Sequence, residues 1–254
     1  MSASTILFTN KMVGRNINVE KNDKGWYRVK IGEVNAFNNK GEYYLDTGLR
    51  ELLTEKNSYL SVANRLESGL LEGEVTHPIR EGHSDSDWLS RNLIIDGARA
   101  THKFMQIDYI VTNRKELGNN VVELWAWILP TENDLGRALK ADLDNPDVNV
   151  AFSIRCFSKL VTYNGHPARV ITKIICWDKI DIPGIKNAVK GGSVEAITKE
   201  AGLKDYLVDI GTLDNLVVKL SNKALMTTEN AGMLDTIKSL RNDLVPCDNL
   251  FFKW

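Results

Sequence analysis

Apolar positions in the first two-thirds of the chain recur mostly with a period of two. Segments 5–8, 26–31, 103–111, 121–129, 148–160 and 168–177 are each rich in β-branched or aromatic residues, which predicts strands. Between them the spacing changes to three and four. Segments 47–53, 59–68 and 133–143 read as helices, the last with Leu135, Leu139 and Leu143 on one stripe. Beyond Pro183 and the Gly191-Gly192 pair, helical patterns dominate: Ser193 can cap a helix reaching about Leu207, and 214–226 and 229–240 predict two more. The expected class is α+β, a barrel-like sheet core with peripheral helices over 1–190 and a helical C-terminal extension over 191–254.

Asn164-Gly165 lies between two β-rich runs and signals a two-residue hairpin, because a type I′ turn needs positive φ at both central positions. A regular ribbon drawn back from that turn sets Ser153 opposite Cys176. It also carries His166 to the far end, roughly 30 Å or more from Ser153 at the rise of an extended strand.

Alternation through 148–157 puts Val148, Val150, Phe152, Ile154 and Cys156 on one face, the core face. Asn149, Ala151, Ser153, Arg155 and Phe157 share the other. A serine and an arginine therefore point the same way from an otherwise apolar strand, a pattern that periodicity alone explains equally by one solvated face. A second segment draws attention in Gly73-Glu74-Val75-Thr76-His77-Pro78. Pro78 holds His77 in an extended or turn conformation, and a histidine so fixed can act as a general base near neutral pH, although a surface loop yields the same pattern. His102 opens a β-rich run, Asp108 lies on its face six positions on, and Glu123 stands between Val122 and Leu124, where a carboxylate needs solvent or a partner.

Composition narrows the chemistry. The 32 basic and 33 acidic residues nearly cancel, so no global field exists to hold nucleic acid or an anionic membrane. The longest nearly apolar run, 121–129, is far short of the roughly 20 residues that span a bilayer. The opening residues have no basic stretch before their short apolar patch and no small-residue cleavage site after it, so the expectation is a cytoplasmic protein. Cys156, Cys176 and Cys247 are widely spaced with no CxxC, which argues for buried thiols rather than a disulfide framework or zinc. His77 and His83 lack HExxH spacing, and no glycine-rich phosphate loop is present, so neither a metal nor a nucleotide cofactor is expected.

In order along the chain, these landmarks resemble the prohead (capsid maturation) serine proteases of tailed bacteriophages, the contractile-tail type in particular, which share the herpesvirus assemblin fold. Asn35 to Lys40 followed by Tyr43-Tyr44 and a helix is similar to that family's asparagine-rich turn, tyrosine and helix. Gly73 to Pro78 resembles its Gly-Glu-x-x-His-Pro block, and Ala100 to Phe104 its Ser-His-apolar strand. Leu129-Pro130-Thr131 with Gly136 resembles the connection to the nucleophile, and Val150 to Arg155 the Gly-Val-Ser-Ser-Arg-Gly strand that presents it. Ile175 to Gly184 resembles the strand and proline turn that follow. Ala151 and Cys156 stand where the family has glycines, and His83 to Gly97 reads as an insertion.

The resemblance implies an assemblin-like core in which Ser153 is the nucleophile and His77 its general base. The third member is implied to be His102, with Glu123 and Asp108 as alternatives, and Arg155 is implied to support the oxyanion. It further implies phage scaffold/core and major capsid proteins as substrates inside the prohead in the host cytoplasm, cleavage after glutamate, and self-cleavage, for which Glu195 is the candidate. The rival from another class is a catalytically silent structural component of the phage head with the same fold.

Overall fold

In a computed structural model, the described residues are 18–181, 184–185, 187–191, 206–208, 210–221, 228–244 and 250–253. In chain order they form β1 (Glu20–Lys21), β2 (Tyr27–Val34), β3 (Ala36–Phe37), β4 (Tyr43–Leu45), α1 (Leu49–Thr54), α2 (Val62–Glu67), β5 (Glu72–Glu74) and α3 (Asp85–Leu93). Then follow β6 (Ala100–Glu116), β7 (Asn119–Pro130), α4 (Asp134–Asp144), β8 (Ala151–Tyr163), β9 (His166–Ile180), β10 (Tyr206–Val208), α5 (Ile210–Ser221), α6 (Thr228–Leu244) and β11 (Leu250–Lys253). One sheet runs β1-β2-β7-β6-β5, the other β10-β11-β8-β9-β4-β3. The mixed α+β class matches expectation.

The closed barrel does not. Among the described residues the sheets meet through a single parallel bridge, Val75 to Lys179, at one corner. The reason is local: Thr76, the next residue, turns into the left-handed region at φ 59°, so the chain leaves β9 before a ladder can grow. The two sheets instead face each other across a core that includes Tyr27, Val29 and Ile31 of β2, Phe104 of β6, Leu124 and Ile128 of β7, and Phe152 and Trp177 of the second sheet. Burying each such side chain contributes about 1.5–3 kcal/mol.

The other face of β8–β9 is covered as well. Phe157, Ile175 and Cys176 pack there with Trp88, Leu89 and Leu93 of α3, Leu213 and Leu216 of α5, and Ile237 of α6. Helix α3 falls inside the stretch read from sequence as an insertion. Its start was legible as a cap: Ser84 accepts a hydrogen bond from the Asp87 amide, and Asp85 and Asp87 lie in the first turn. The extension is not wholly helical, since β10 and β11 add to the edge of β8. The strand expected at 5–8 lies outside the described residues, as does most of the helix expected over 193–207, whose last two positions belong to β10.

The β8–β9 ribbon turns at Asn164 and Gly165 with φ 49° and 80°, as the dipeptide requires. Its register then departs from the regular one. Near the turn Tyr163 faces His166 and Ser158 faces Ile171, but irregularities between Phe157 and Ser158 and between Arg155 and Cys156 each take up an extra β9 residue. Ser153 consequently faces Asp178, not Cys176.

Candidate active site

Directly opposite residues on paired strands project to the same face, with Cβ atoms about 4.5–5.5 Å apart. Ser153 and Asp178 are such a pair, Ser153 being 7% exposed and Asp178 wholly buried. On the far side of β9, the segment after β5 brings His77 to the same carboxylate: His77 Nδ1 lies 2.6 Å from Asp178 Oδ2. Ser153 and His77 thus approach Asp178 from its two flanks.

Three local features aim the histidine. Gly73 lets β5 press against its neighbours, since a Cβ there would stand 2.1 Å from the Trp177 carbonyl oxygen and 2.4 Å from the His102 ring. Thr76 holds a positive φ, a conformation that costs a β-branched residue on the order of 1–3 kcal/mol. It is locked by a hydrogen bond from its amide to the Lys179 carbonyl and by Arg99, which donates to its Oγ1 at 2.8 Å and to the Val75 carbonyl at 2.5 Å. Pro78 then keeps His77 out of the helical region. Backbone strain of this kind, held by specific bonds, clusters at active sites and ligand clamps.

Asp178 is densely supported. Arg155 donates from Nε to Oδ2 at 2.9 Å and from Nη2 to Oδ1 at 2.8 Å, and the Glu74 amide donates to Oδ1 at 2.9 Å. Burial by itself would raise this carboxyl's pKa. The Arg155 charge and the hydrogen bonds from His77 and Arg155 outweigh it and hold Asp178 well below the ordinary carboxylate range. Asp178 is therefore an anion through the whole working range, and burial pushes the neighbouring Cys176 thiol upward.

The sequence expectations fare differently from one another. Ser153 and Arg155 share one face, as the alternation predicts, but that face is buried rather than solvated. The guanidinium directs its nitrogens to Asp178, to Glu74 at 3.2 Å and to the Ile94 carbonyl at 3.1 Å, so its contacts serve the carboxylate rather than an oxyanion. His102 engages Thr101 Oγ1 through Nδ1 at 2.8 Å and packs edge-on against Phe104 and Phe152. Burial lowers its pKa to about 4, so it is neutral at pH 7. Glu123 and Asp108 lie on the first sheet, paired with Lys30 at 2.6 Å and with Arg28 at 3.6 Å. The carboxylate at His77 is Asp178, which a regular ribbon misses because of the two bulges. The signal was nonetheless present, since Asp178 ends the apolar run Ile174-Ile175-Cys176-Trp177 in the way Glu123 interrupts its own. Glu195 lies outside the described residues.

A model of the Peptidase S80 family matches residues 5–242. The chain belongs to the Peptidase S80 family. It is accordingly a serine peptidase, a hydrolase, and the match is consistent with the prohead-protease resemblance carried by its motifs. No curated protein and no solved structure matches this S80 peptidase.

Proposed function

We propose that Ser153, His77 and Asp178 are the catalytic triad of this peptidase, acting on scaffold/core and major capsid proteins in an assembling phage prohead and on the chain itself after Glu195. The observation that carries the triad is the 2.6 Å contact of His77 Nδ1 with a buried carboxylate that faces Ser153 across the strand pair. With Nδ1–H donated to Asp178, Nε2 is the nitrogen that serves as base. It takes the Ser153 hydroxyl proton as Oγ attacks the scissile carbonyl, then returns that proton to the leaving amine. Water repeats the cycle on the acyl-enzyme. Asp178 stays ionised throughout, holding the tautomer and stabilising the imidazolium. The substrate class rests on the resemblance in motif order, and the self-cleavage site on Glu195 ending Ser193-Val194-Glu195 at the boundary between the expected core and the C-terminal extension.

The test is a time course of intact mass for the wild type, Ser153→Ala and His77→Ala. Fragments are expected only from the wild type, with a new C-terminus at a glutamate. Identical fragments from all three chains, or no cleavage by any of them with scaffold and capsid peptides supplied, would overturn the reading.

A further inference from the structure

Glu74 lies three residues before His77, and its side chain is fully excluded from solvent. A buried carboxylate is costly unless paired and hydrogen-bonded, and an apolar residue would fill the space more cheaply. Here it is paired on several sides. Arg91 of α3 grips it with both terminal nitrogens, Nη1 on Oε1 at 2.9 Å and Nη2 on Oε2 at 2.5 Å. Arg155 Nη2 stands 3.2 Å from Oε1, the Asp96 amide donates to Oε1 at 2.8 Å, and Arg99 Nε lies 3.5 Å from Oε2.

The guanidinium of Arg155 is thereby fixed at three corners: Asp178, Glu74 and the Ile94 carbonyl that follows α3. One oxygen of Asp178, Oδ2, is shared between Arg155 Nε and His77 Nδ1. The plane in which the guanidinium lies therefore sets where Oδ2 points, and so how the imidazole is oriented. The Glu74 amide adds a direct hold on Oδ1.

We propose that Glu74 and Arg91 are positioning residues for the peptidase reaction, acting in series through Arg155 and Asp178 on His77. Helix α3, an apparent insertion in the sequence, supplies the outermost link. The inference rests on the triad reading. It adds that a side chain on the flank of the molecule controls the nucleophile's activation without touching substrate. Arg91 is partly exposed, at 22% of its side chain, so the relay starts near the surface and ends in a sealed interior.

The experiment follows the rate at which a fluorophosphonate probe phosphonylates Ser153 Oγ with loss of fluoride across a pH series, with the proton NMR signal of the His77 Nδ1–H as a second readout. Glu74→Gln keeps the shape and removes the charge. It is expected to slow labelling by on the order of 10–100-fold, the size of effect that a small misplacement of reacting groups produces. The Nδ1–H resonance is expected to move as its acceptor turns. Arg91→Met should act in the same direction, and Arg91→Lys should recover only part of the loss, because an ammonium lacks the two-pronged fork. If the two residues act in series, Glu74→Gln combined with Arg91→Met labels no more slowly than Glu74→Gln alone.

A folded Glu74→Gln with wild-type labelling and an unmoved Nδ1–H signal overturns the proposal, as does a double variant whose losses multiply. Should Glu74→Gln fail to fold, Arg91→Lys decides: wild-type labelling and resonance in that variant also overturn the proposal. Labelling of Ser153→Ala at the wild-type rate would sink the triad reading itself, a result separable from the others.

Discussion

At the tip of the β8–β9 ribbon, Lys159 to Tyr163 alternates half-buried and exposed positions, and Tyr163 stacks on Tyr43 with ring centroids 5.7 Å apart. At its base, Ala151 to Ser158 is buried at every position but Ile154, and beside the apolar packing under α3 the charged side chains of Arg155 and Glu74 reach that helix and its end. The backbone is the same antiparallel pair throughout. What differs is the second face, open to water at the tip and covered by helices at the base. Replacing a buried ion pair with well-packed apolar groups is often neutral or stabilising, so stability alone gives no reason to keep Arg155, Asp178 and Glu74 where they are. The contrast teaches that the charged groups of the proposed triad and its supports gather where the ribbon is sealed on both faces, while the tip packs through aromatic rings.

The contrast breaks most visibly at Asp178. Asp178→Asn is expected to lower kcat by about 10²–10⁴-fold, the range over which general-base assistance operates. It should also cost about 3–5 kcal/mol in denaturant unfolding, because Arg155 is left buried beside a neutral amide. Wild-type activity in a folded Asp178→Asn protein would remove the functional meaning of the base.

Acid titration sharpens the comparison by a smaller amount. The folded protein keeps His102 neutral down to about pH 4, whereas the unfolded chain protonates it below roughly 6.5. The stability from this depressed pKa is therefore complete above roughly 6.5 and lost as pH falls to about 4, on the order of 3 kcal/mol in all. Asp178 adds a second fall below roughly pH 4, where the unfolded carboxyl takes up a proton that the folded one refuses. Urea unfolding from pH 8 to 4 should show the first limb in the wild type and a flatter profile in His102→Gln.

The smallest effect is expected at the tip. His166 packs edge-on against Phe37 at 5.4 Å and lies in the exposed turn region. His166→Ala should leave activity unchanged and shift unfolding by no more than about 0.5 kcal/mol. A large loss of kcat there would mean that the ribbon's two ends are not independent.

Much of this was legible in the sequence because it is local. The five long strands β2, β6, β7, β8 and β9 were visible as β-rich runs or parts of them, whereas the short pieces at 20–21, 36–37, 43–45, 72–74, 206–208 and 250–253 were not, because two to four residues carry no period. The I′ turn was written in Asn164-Gly165, and the segments holding Ser153 and His77 stood out by motif order. The carboxylate of the proposed triad did not, because its place opposite Ser153 depends on bulges that no hydrophobic period records. Arg155 was assigned to an oxyanion for a related reason: its face was known, but not the helix that closes over it. That helix is announced by Ser84-Asp85-Ser86-Asp87, a cap followed by acidic residues, hidden within a stretch that otherwise reads as loop.

The two irregularities in β9 give the site an arithmetic of odd and even. A single bulge would have brought Trp177 opposite Ser153 and turned the carboxylate to the other side of the sheet; the second restores the side and delivers Asp178. The pairing is thus inherited as a count as well as an identity. A related chain could carry its aspartate two positions earlier with no bulges and build the same site. A shift by one, left uncompensated, would leave every residue unchanged and the serine without its partner.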